Sequence, residues 1–413
     1  MENVSHTVAG LAVGELIHRS LPPEPDIDAN SMRRKLLLVS CAVAGNFPDL
    51  DLLYSNILPR PLGYLLHHRG HTHTIFYAIP QALLLVALIW LFWPKARALL
   101  RSSASARLGF GISVVVGFVL HLAMDFLNSY GIHPFHPFDS HWFFGDMIFI
   151  VEPFFWIAFA APLIVSIERR KVRNLIALVI AAIQIAFLAM GLLPWGSVVL
   201  LFGLGALLAW MQLRAAPRGR SALVAAFAST AVFVGVQFHA SGLAKNLVRT
   251  ALELRDPSMK ILDVAASASP TDPLCWGFVS VEEHEKAGTY RVTRGRLSLD
   301  ESIQSVANCS KVTSDPVGET PQILSGLVFT GDDSGDLASL RKLARENCNV
   351  RAWMRFARSP YMTEQYAIDR RFSVRGDGGN FSYLNIEEFG SDKCSGPIPE
   401  WDFPRADLMG DQQ

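Results

Sequence analysis

The first 150 residues of this chain are rich in side chains that bind metals. Ten of the twelve histidines precede residue 142. His121 and Asp125 are four residues apart, so on a helix they lie on one face, and Asn128 continues that face. Imidazole and carboxylate groups without an accompanying thiolate suit Zn²⁺, Mn²⁺ or Fe²⁺ better than Ca²⁺. This pattern predicts a metal site.

Further candidate ligands occur in separate stretches of the chain, each beside an apolar segment. They are His6, Asp49, Asp51, His68, His73 and Asp146. The set exceeds the needs of one catalytic zinc, so one or two divalent ions are expected, with Zn²⁺ favoured and Mn²⁺ or Fe²⁺ as alternatives. Two ions can generate hydroxide and stabilise both oxygens of a displacement. Arg69 is predicted to bind or stabilise negative charge on a substrate, and Asp51 and Asn128 are predicted to act with it as catalytic residues.

Simpler roles stay open for several of these residues. Asp49 and Asp51 could form a turn or cap a helix, and Asp146 could be an interfacial N-cap. Glu152 could pair with a neighbouring helix, and Arg69 could extend towards lipid headgroups. Three histidines in an aromatic-rich loop are predicted to be interfacial rather than metal ligands: His133, His136 and His141.

Apolar stretches long enough to cross a bilayer follow one another through the first 240 residues. Six qualify by length: 74–93, 108–128, 147–167, 174–193, 195–213 and 221–240. Two shorter ones, 4–19 and 36–53, are interrupted by polar residues. Lipid-facing backbone must satisfy its own hydrogen bonds, so all eight are predicted to be helices.

Basic residues occur in every second loop between these segments. Arg and Lys cluster at 33–35, 95–107, 169–173 and 214–220. By the positive-inside rule, this alternation predicts eight crossings with the N-terminus and the C-terminal part outside the cytoplasm. The candidate ligands then fall at one outer face, where ionisable groups at bilayer depth usually mark function.

Residues 241–413 are predicted to form a soluble α+β domain outside the cytoplasm. They hold 20 Lys+Arg and 25 Asp+Glu, whereas residues 1–240 hold 17 and 12, so neither part is basic enough to favour nucleic acid. The patterning predicts a helix over 334–347, strands over 289–299, 350–357 and 366–375, and a turn at 376–379.

Four of the five cysteines lie in this C-terminal part, and none forms a CxxC pair. They are Cys275, Cys309, Cys348 and Cys394. An even number without zinc spacing predicts two disulfides in an oxidising compartment, with three possible pairings. Cys41 lies in an apolar run and is predicted to be an inert core residue.

Five runs carry a recognisable combination of residues. They are Ser5-His6-Thr7 with Gly10; Phe47-Pro48-Asp49-Leu50-Asp51; His68-Arg69-Gly70-His71-Thr72-His73; His121-Leu122-Ala123-Met124-Asp125 with Asn128 and Gly131; and Gly145-Asp146. Over about residues 1–165 the chain thereby resembles a family of bacterial membrane-bound metal-dependent hydrolases that includes LexA-regulated members. The resemblance implies a membrane-embedded metal site and a hydrolase activity. The family often has Asp where Glu152 stands, and residues 241–413 look like an appended domain.

The sequence therefore predicts a multi-pass hydrolase of the bacterial inner membrane that acts at its outer face. A site at headgroup depth favours a lipid or lipid-linked ester or phosphoester as substrate, with a metal-bound water as nucleophile. One alternative is a metal or ion transporter, although such proteins tend to place their sites at the midplane between inverted repeats. The other is a non-catalytic membrane assembly protein. The oligomeric state is not set by the sequence.

Overall fold

The computed structural model describes residues 1–216, 218–309, 324–372, 380–388 and 394–410. A mostly helical N-terminal region is followed by antiparallel sheets with shorter helices, which confirms the predicted fold class. The helices are α1 (Asn3–Ser20), α2 (Ile27–Ala44), α3 (Asp51–Ser55), α4 (Leu62–His67), α5 (Ile75–Phe92), α6 (Pro94–Ser102), α7 (Ala104–Phe126), α8 (Pro153–Val165), α9 (Arg170–Ala189), α10 (Trp195–Arg214), α11 (Ser221–Arg255), α12 (Leu337–Glu346), α13 (Cys348–Met354) and α14 (Ala406–Met409).

The strands form two antiparallel sheets within the described residues. The first is a meander of β1 (Lys260–Ser269), β2 (Asp272–His284), β3 (Thr289–Ser298) and β4 (Leu327–Asp336). The second contains β5 (Pro360–Met362), β6 (Tyr366–Asp369) and β7 (Leu384–Asn385). One face of the first sheet packs on the end of α11, where Val248 and Leu252 are buried with Trp276 and Phe278.

All eight predicted membrane segments are helical. Among the described residues, α5, α7, α9, α10 and α11 are long and apolar enough to cross a membrane, or six spans if α2 counts with the bent continuation Pro48–Ser55. The segment predicted over 147–167 is shorter than expected, because Glu152 caps a helix that begins only at Pro153. α1 is too polar to qualify, since it carries Glu15 and Arg19 besides two histidines.

Close contacts divide the described residues into two compact units. The helical unit comprises Met1–Leu50, Thr72–Leu127 and Ile150–Gly235. The sheet unit comprises Asp51–His71, Asn128–Phe149 and Val236–Gln413. Two stretches of the N-terminal region, 51–71 and 128–149, thus pack with C-terminal residues. The predicted domain boundary at residue 240 lies within α11.

Basic residues also hold the helical unit together. Arg33 is fully buried and donates to Glu24 Oε1 at 2.9 Å and to Ser105 Oγ at 2.6 Å. Arg19 donates to Glu15 on its own helix at 2.7 Å and to Gln212 at 3.0 Å. Arg33 belongs to one of the basic clusters from which the membrane topology was predicted. Its position therefore also serves the packing of the helices.

The sheet unit has an aromatic core to which both N-terminal stretches contribute. Leu66 of α4 and Tyr130 are buried together with Trp353, Phe356 and Trp401. The Trp401 indole N–H donates to the carbonyl oxygen of Leu66 at 2.8 Å. Indole and phenol rings bury large apolar areas, so this core fixes both stretches to the rest of the unit.

Local structure in the C-terminal part was predicted with mixed success. β3 confirms the strand over 289–299, and α12 lies within the predicted helix, starting at Leu337 because Asp336 caps it. The strand predicted over 350–357 is wrong: Asn347 caps α13 there, and burial of most of its residues hides the helical period. The predicted strand over 366–375 ends at Asp369 and is followed by a 3₁₀ turn, Arg370–Phe372. The turn at 376–379 and residues 373–375 lie outside the described residues.

Disulfides join Cys275 to Cys309 and Cys348 to Cys394, as the even cysteine count predicted. Cross-links that close loops of 34 and 46 residues contribute about 3–4 kcal/mol each in the chain-entropy account. Changing Cys275 and Cys309 to alanine together is expected to lower the unfolding temperature, whereas Cys41→Ala removes no cross-link and should lower it much less. Mass analysis without reductant should show two hydrogens fewer per disulfide. Free thiols at all four positions in freshly isolated membranes would contradict the pairing.

Candidate metal centre

Glycines let three helices of the helical unit approach one another closely. A Cβ on Gly10 of α1 would lie 2.8 Å from Ala42 Cα in α2, and one on Gly14 would meet an α2 carbonyl at 2.7 Å. On α7, a Cβ at Gly117 would lie 2.9 Å from the carbonyl oxygen of Cys41. Small residues at such contacts allow backbones to pack tightly in membranes. This packing fixes the elements that carry the candidate ligands.

His121 and Asp125 lie one turn apart on α7, and both are fully buried. The Nδ1 of His121 lies 2.7 Å from the carbonyl oxygen of Gly45. A carbonyl can only accept, so Nδ1 carries the proton and Nε2 keeps its lone pair. Metal-binding histidines are commonly oriented by such a hydrogen bond. The end of α2 therefore sets the tautomer of His121.

Two short 3₁₀ turns, Pro48–Leu50 and His71–His73, bring Asp49 and His73 to the same place. The Nε2 of His73 lies 3.0 Å from Nε2 of His121, 3.3 Å from Asp49 Oδ1 and 3.2 Å from Asp125 Oδ2. The Nε2 of His121 lies 3.8 Å and 3.5 Å from the same two oxygens. Four donor atoms from three sequence-distant stretches thus converge.

The spacing of these atoms matches a coordination shell. Ligands at about 2.0–2.1 Å from a tetrahedral ion are about 3.3 Å from one another. The five separations that involve an imidazole nitrogen run from 3.0 to 3.8 Å, and all four atoms lie within 4.8 Å of one another. Two imidazoles with two carboxylates suit Zn²⁺, Mn²⁺ or Fe²⁺. The buried cluster of Asp49, His73, His121 and Asp125 could therefore hold a divalent metal ion.

The charge of the cluster also favours a cation. Asp49 and Asp125 are both buried, and buried carboxylates require compensating positive charge. The amino group of Met1 donates to Asp125 Oδ1 and supplies one positive charge. One negative charge then remains, and it favours the binding of a further cation.

His6 lies at the edge of this cluster. Its Nε2 is 3.2 Å from Asp125 Oδ1, and its ring stacks on His121 with centroids 4.2 Å apart. Its Nδ1 is buried without a hydrogen-bond partner in the part of the chain that is described. His6 contacts two of the four convergent residues directly.

A second set of the predicted site residues lies in the sheet unit. Asp51 Oδ1 is 3.0 Å from His68 Nδ1, and Asp51 Oδ2 accepts from the backbone N–H of Arg69 at 3.1 Å. Arg69 Nη1 donates to Asn128 Oδ1 at 3.0 Å. The Arg69 backbone has φ 59°, in the left-handed region that non-glycine residues rarely adopt. The carboxylate of Asp51 thus holds both His68 and Arg69.

Asp146 and Glu152 have protein partners. Both oxygens of Asp146 accept from Arg358 at 2.9 Å, and Oδ2 also accepts from Lys245 at 2.7 Å. Glu152 caps α8 and accepts from the backbone N–H of Phe154 at 3.1 Å. A bidentate arginine contact occupies Asp146 in the structure, and Glu152 serves as an N-cap.

The aromatic-rich loop places its histidines in different surroundings. His133 is buried between the rings of Trp142 and Trp401, at centroid distances of 3.8 and 4.1 Å. Burial lowers the pKa of His133 to about 3, so its ring is neutral. His141 is exposed, and its hydrogen bond to Asp139 at 2.6 Å raises the pKa of its imidazole.

Three residues that shape these sites were not predicted from the sequence. Gly45 acts through a backbone carbonyl, which has no sequence signal. Tyr130 stands two residues beyond Asn128, and its ring lies 4.8 Å from the guanidinium carbon of Arg69. Arg358 is separated from Asp146 by 212 residues. Only Tyr130 had a sequence clue, namely an aromatic residue beside a candidate site.

Comparison with known proteins agrees with the sequence resemblance. Residues 1–195 match the family described as YdjM inner membrane protein. These residues of the chain are similar to that family. The predicted resemblance over about residues 1–165 is thereby confirmed. The similarity to an inner-membrane family agrees with the apolar helices that are long enough to cross a membrane.

One relative is the uncharacterized protein YfhP of Bacillus subtilis (strain 168). It is 24% identical over 163 residues, which cover 40% of this chain and 45% of YfhP. The match thus spans less than half the length of either protein. No solved structure matches the chain significantly. The YdjM-family match includes every candidate metal ligand but ends well before Arg358.

Proposed function

We propose that this protein is an integral-membrane, metal-dependent hydrolase. The observation that carries the proposal is the convergence of four donor atoms from Asp49, His73, His121 and Asp125, spaced as in a coordination shell. His6 completes this site from its contact with Asp125. If a second ion binds, we propose Asp51 and His68 as its ligands. Asp146 is not proposed as a ligand, because both of its oxygens accept from Arg358.

Different residues take different parts in the proposed reaction. A bound divalent ion would activate water by lowering its pKa to about 7 and would polarise the scissile group. The Gly45 carbonyl holds the Nδ1 of His121, so that the Nε2 lone pair would be available to a metal ion. Arg69, held by Asn128 and by the Asp51 carboxylate, stabilises negative charge that develops on the substrate. Removing or misplacing Arg69 would therefore slow turnover without removing metal.

We propose a lipid or lipid-linked ester or phosphoester as the substrate. Two ligands lie at the ends of apolar helices, since Asp125 is one residue before the end of α7 and His73 is two residues before the start of α5. Helix ends lie near headgroup depth, where such bonds are found. The charge alternation and the disulfides support an outer-face location, with the N-terminus and the sheet-bearing part outside the cytoplasm.

Reporter fusions test this orientation. Gln212 lies near the end of α10 and Asp256 lies just beyond α11, so α11 alone separates the two positions. A reporter after Gln212 should be cytoplasmic and one after Asp256 should be periplasmic. The same compartment for both would remove the support for an outer-face site.

Metal analysis and turnover separate a hydrolase from a carrier. Purified protein should contain a divalent metal and hydrolyse a member of an ester and phosphoester panel. Arg69→Ala should keep the metal and lose about 10²–10³ in rate, by comparison with removal of one preorganised donor. Arg60→Ala is the matched control, because Arg60 lies in the same stretch but is exposed and donates to Asn56, four residues away.

Other outcomes identify the competing functions. A carrier would show metal-dependent flux in liposomes and no turnover of any ester. Tight metal binding with flux and a blank substrate panel would therefore reject the hydrolase. If no metal copurifies and none can be restored, the cluster is structural, and the assembly role becomes the better explanation.

A further inference from the structure

Tyr130 and Asn128 each present a buried polar group without a hydrogen-bond partner among the described residues. These groups are the Tyr130 hydroxyl and the Asn128 Nδ2, on residues that are 4% and 3% exposed. An unpaired buried polar group costs about 1–3 kcal/mol. Such groups are rare in folded proteins and call for a partner, and a side-chain amide nitrogen can only donate.

Both residues contact the guanidinium of Arg69. Asn128 Oδ1 accepts from Arg69 Nη1 at 3.0 Å and from the backbone N–H of Tyr130 at 2.9 Å. These two donors assign the amide orientation, because they occupy the oxygen and leave Nδ2 pointing elsewhere. The Arg69 Cζ lies 4.8 Å from the centroid of the Tyr130 ring. Arg69, Asn128 and Tyr130 thus form one small cluster, in which the amide NH₂ and the phenol hydroxyl are the unpaired groups.

The Arg69 backbone shows that this arrangement is constrained. A φ of 59° costs an L-residue about 1 kcal/mol or more, whereas glycine would adopt it freely. Glycine occurs at the next position, Gly70, yet the left-handed position itself holds an arginine. Asp51 fixes this conformation through the Arg69 N–H at 3.1 Å. Strain of this kind is retained where the side chain has a role.

We infer that Arg69, Asn128 and Tyr130 form a recognition site for a phosphate group. The cluster offers donors, and an arginine fork binds phosphate oxygens with two parallel N–H groups. Tyr130 becomes a ligand-binding residue outside the motifs that the sequence singled out. The site narrows the substrate class from esters in general to phosphoesters. That narrowing depends on the proposed hydrolase function, whereas the anion site itself does not.

Binding of inorganic phosphate to the full-length protein tests this inference. Titration calorimetry would use EDTA-treated protein in phosphatidylcholine nanodiscs. Tyr130→Phe removes only the hydroxyl and is expected to weaken phosphate binding about 10-fold, the effect of one hydrogen bond to a charged group. Tyr361→Phe is the matched control, because the Tyr361 ring lies 4.8 Å from the guanidinium carbon of Arg370. It should change affinity less than about twofold.

Asn128→Asp provides a second variant that keeps the local structure. It retains the acceptor for Arg69 and for the Tyr130 N–H, but it replaces the free donor with a negative charge. Phosphate binding should fall by more than about 10-fold, with an unchanged unfolding temperature. Phosphate affinity that is the same in wild type, Tyr130→Phe and Asn128→Asp would overturn the inference. The inference would also be overturned if phosphate bound only after metal was restored and Tyr130→Phe left the affinity unchanged.

Two further measurements identify the source of the phosphate group and test the anion site separately from the hydrolase function. Displacement of phosphate by nanodiscs containing phosphatidic acid identifies a lipid headgroup, and failure to displace identifies a soluble phosphate compound. Both results support the site if Tyr130→Phe weakens the interaction. Phosphate binding that depends on Tyr130, without hydrolysis of any phosphoester, would retain the anion site and reject the hydrolase.

Discussion

Changing His121 to alanine is expected to abolish tight metal binding. The Nε2 of His121 lies within 3.0–3.8 Å of three other donor atoms, so its loss removes one vertex of the proposed shell. Changes to groups that merely orient a ligand already cost about 10–100-fold in metal affinity. We therefore expect a loss greater than about 100-fold for the ligand itself. Elemental analysis and equilibrium dialysis of the purified variant measure this directly.

His18→Ala is the matched control for that experiment. His18 is also a buried histidine of the helical unit, and it lies on α1 together with His6 but at the opposite end of the helix. A cavity of the same kind is created, so a general effect of truncation would appear in both variants. Equal metal content in His121→Ala and wild type would show that the metal is bound elsewhere.

The metal cluster was largely predictable because its residues follow simple rules. His121 and Asp125 share a helix face at i and i+4, and that pair is found together in the structure. Ionisable residues beside apolar segments are costly, so His73 and Asp49 stood out by position alone. All four residues of the cluster were among the predicted ligands, and binding of an ion by them stays a prediction.

The remaining features depend on contacts that leave no local pattern. The Gly45 carbonyl that orients His121 is a backbone group, present in every residue. The helix over 348–354 is buried on most sides, so its period is hidden. The placement of 51–71 and 128–149 in the sheet unit arises from long-range burial, as in the contact of Trp401 with Leu66. Sequence spacing cannot reveal such tertiary partners.

Arg358 organises a buried ion network in the sheet unit. Its guanidinium binds both oxygens of Asp146 and also donates to Asp263 Oδ2 at 2.6 Å. Burial alone would lower the pKa of Arg358, but the carboxylates of Asp146 and then Asp263 raise it above its usual range. Arg358 is therefore always charged, and it joins the 128–149 stretch to β1.

Arg358→Ala is expected to destabilise the sheet unit strongly. Removing one partner of a buried pair leaves an uncompensated charge and costs about 3–5 kcal/mol. The Lys245 contact to Asp146 would compensate only in part. Thermal unfolding and limited proteolysis of the 128–149 stretch should both show the loss. Lys260→Ala is the control, because Lys260 pairs with Glu285 on the surface of the same unit, where such pairs contribute less than about 1 kcal/mol.

The network also gives this unit a defined response to acid. Burial alone would raise the pKa of Asp263, but Arg358 and then Arg405 hold it below its usual value. A carboxyl whose folded pKa is lowered adds stability that is complete above its unfolded pKa of about 3.9. That stability is lost as the pH falls through the lower, folded value. Wild type should therefore lose stability below about pH 4 more steeply than Arg358→Ala, in which Asp263 lacks its main cation. Parallel stability curves for the two proteins between pH 5 and pH 2, roughly the range over which such a carboxyl titrates, would show that Arg358 does not set the charge of Asp263.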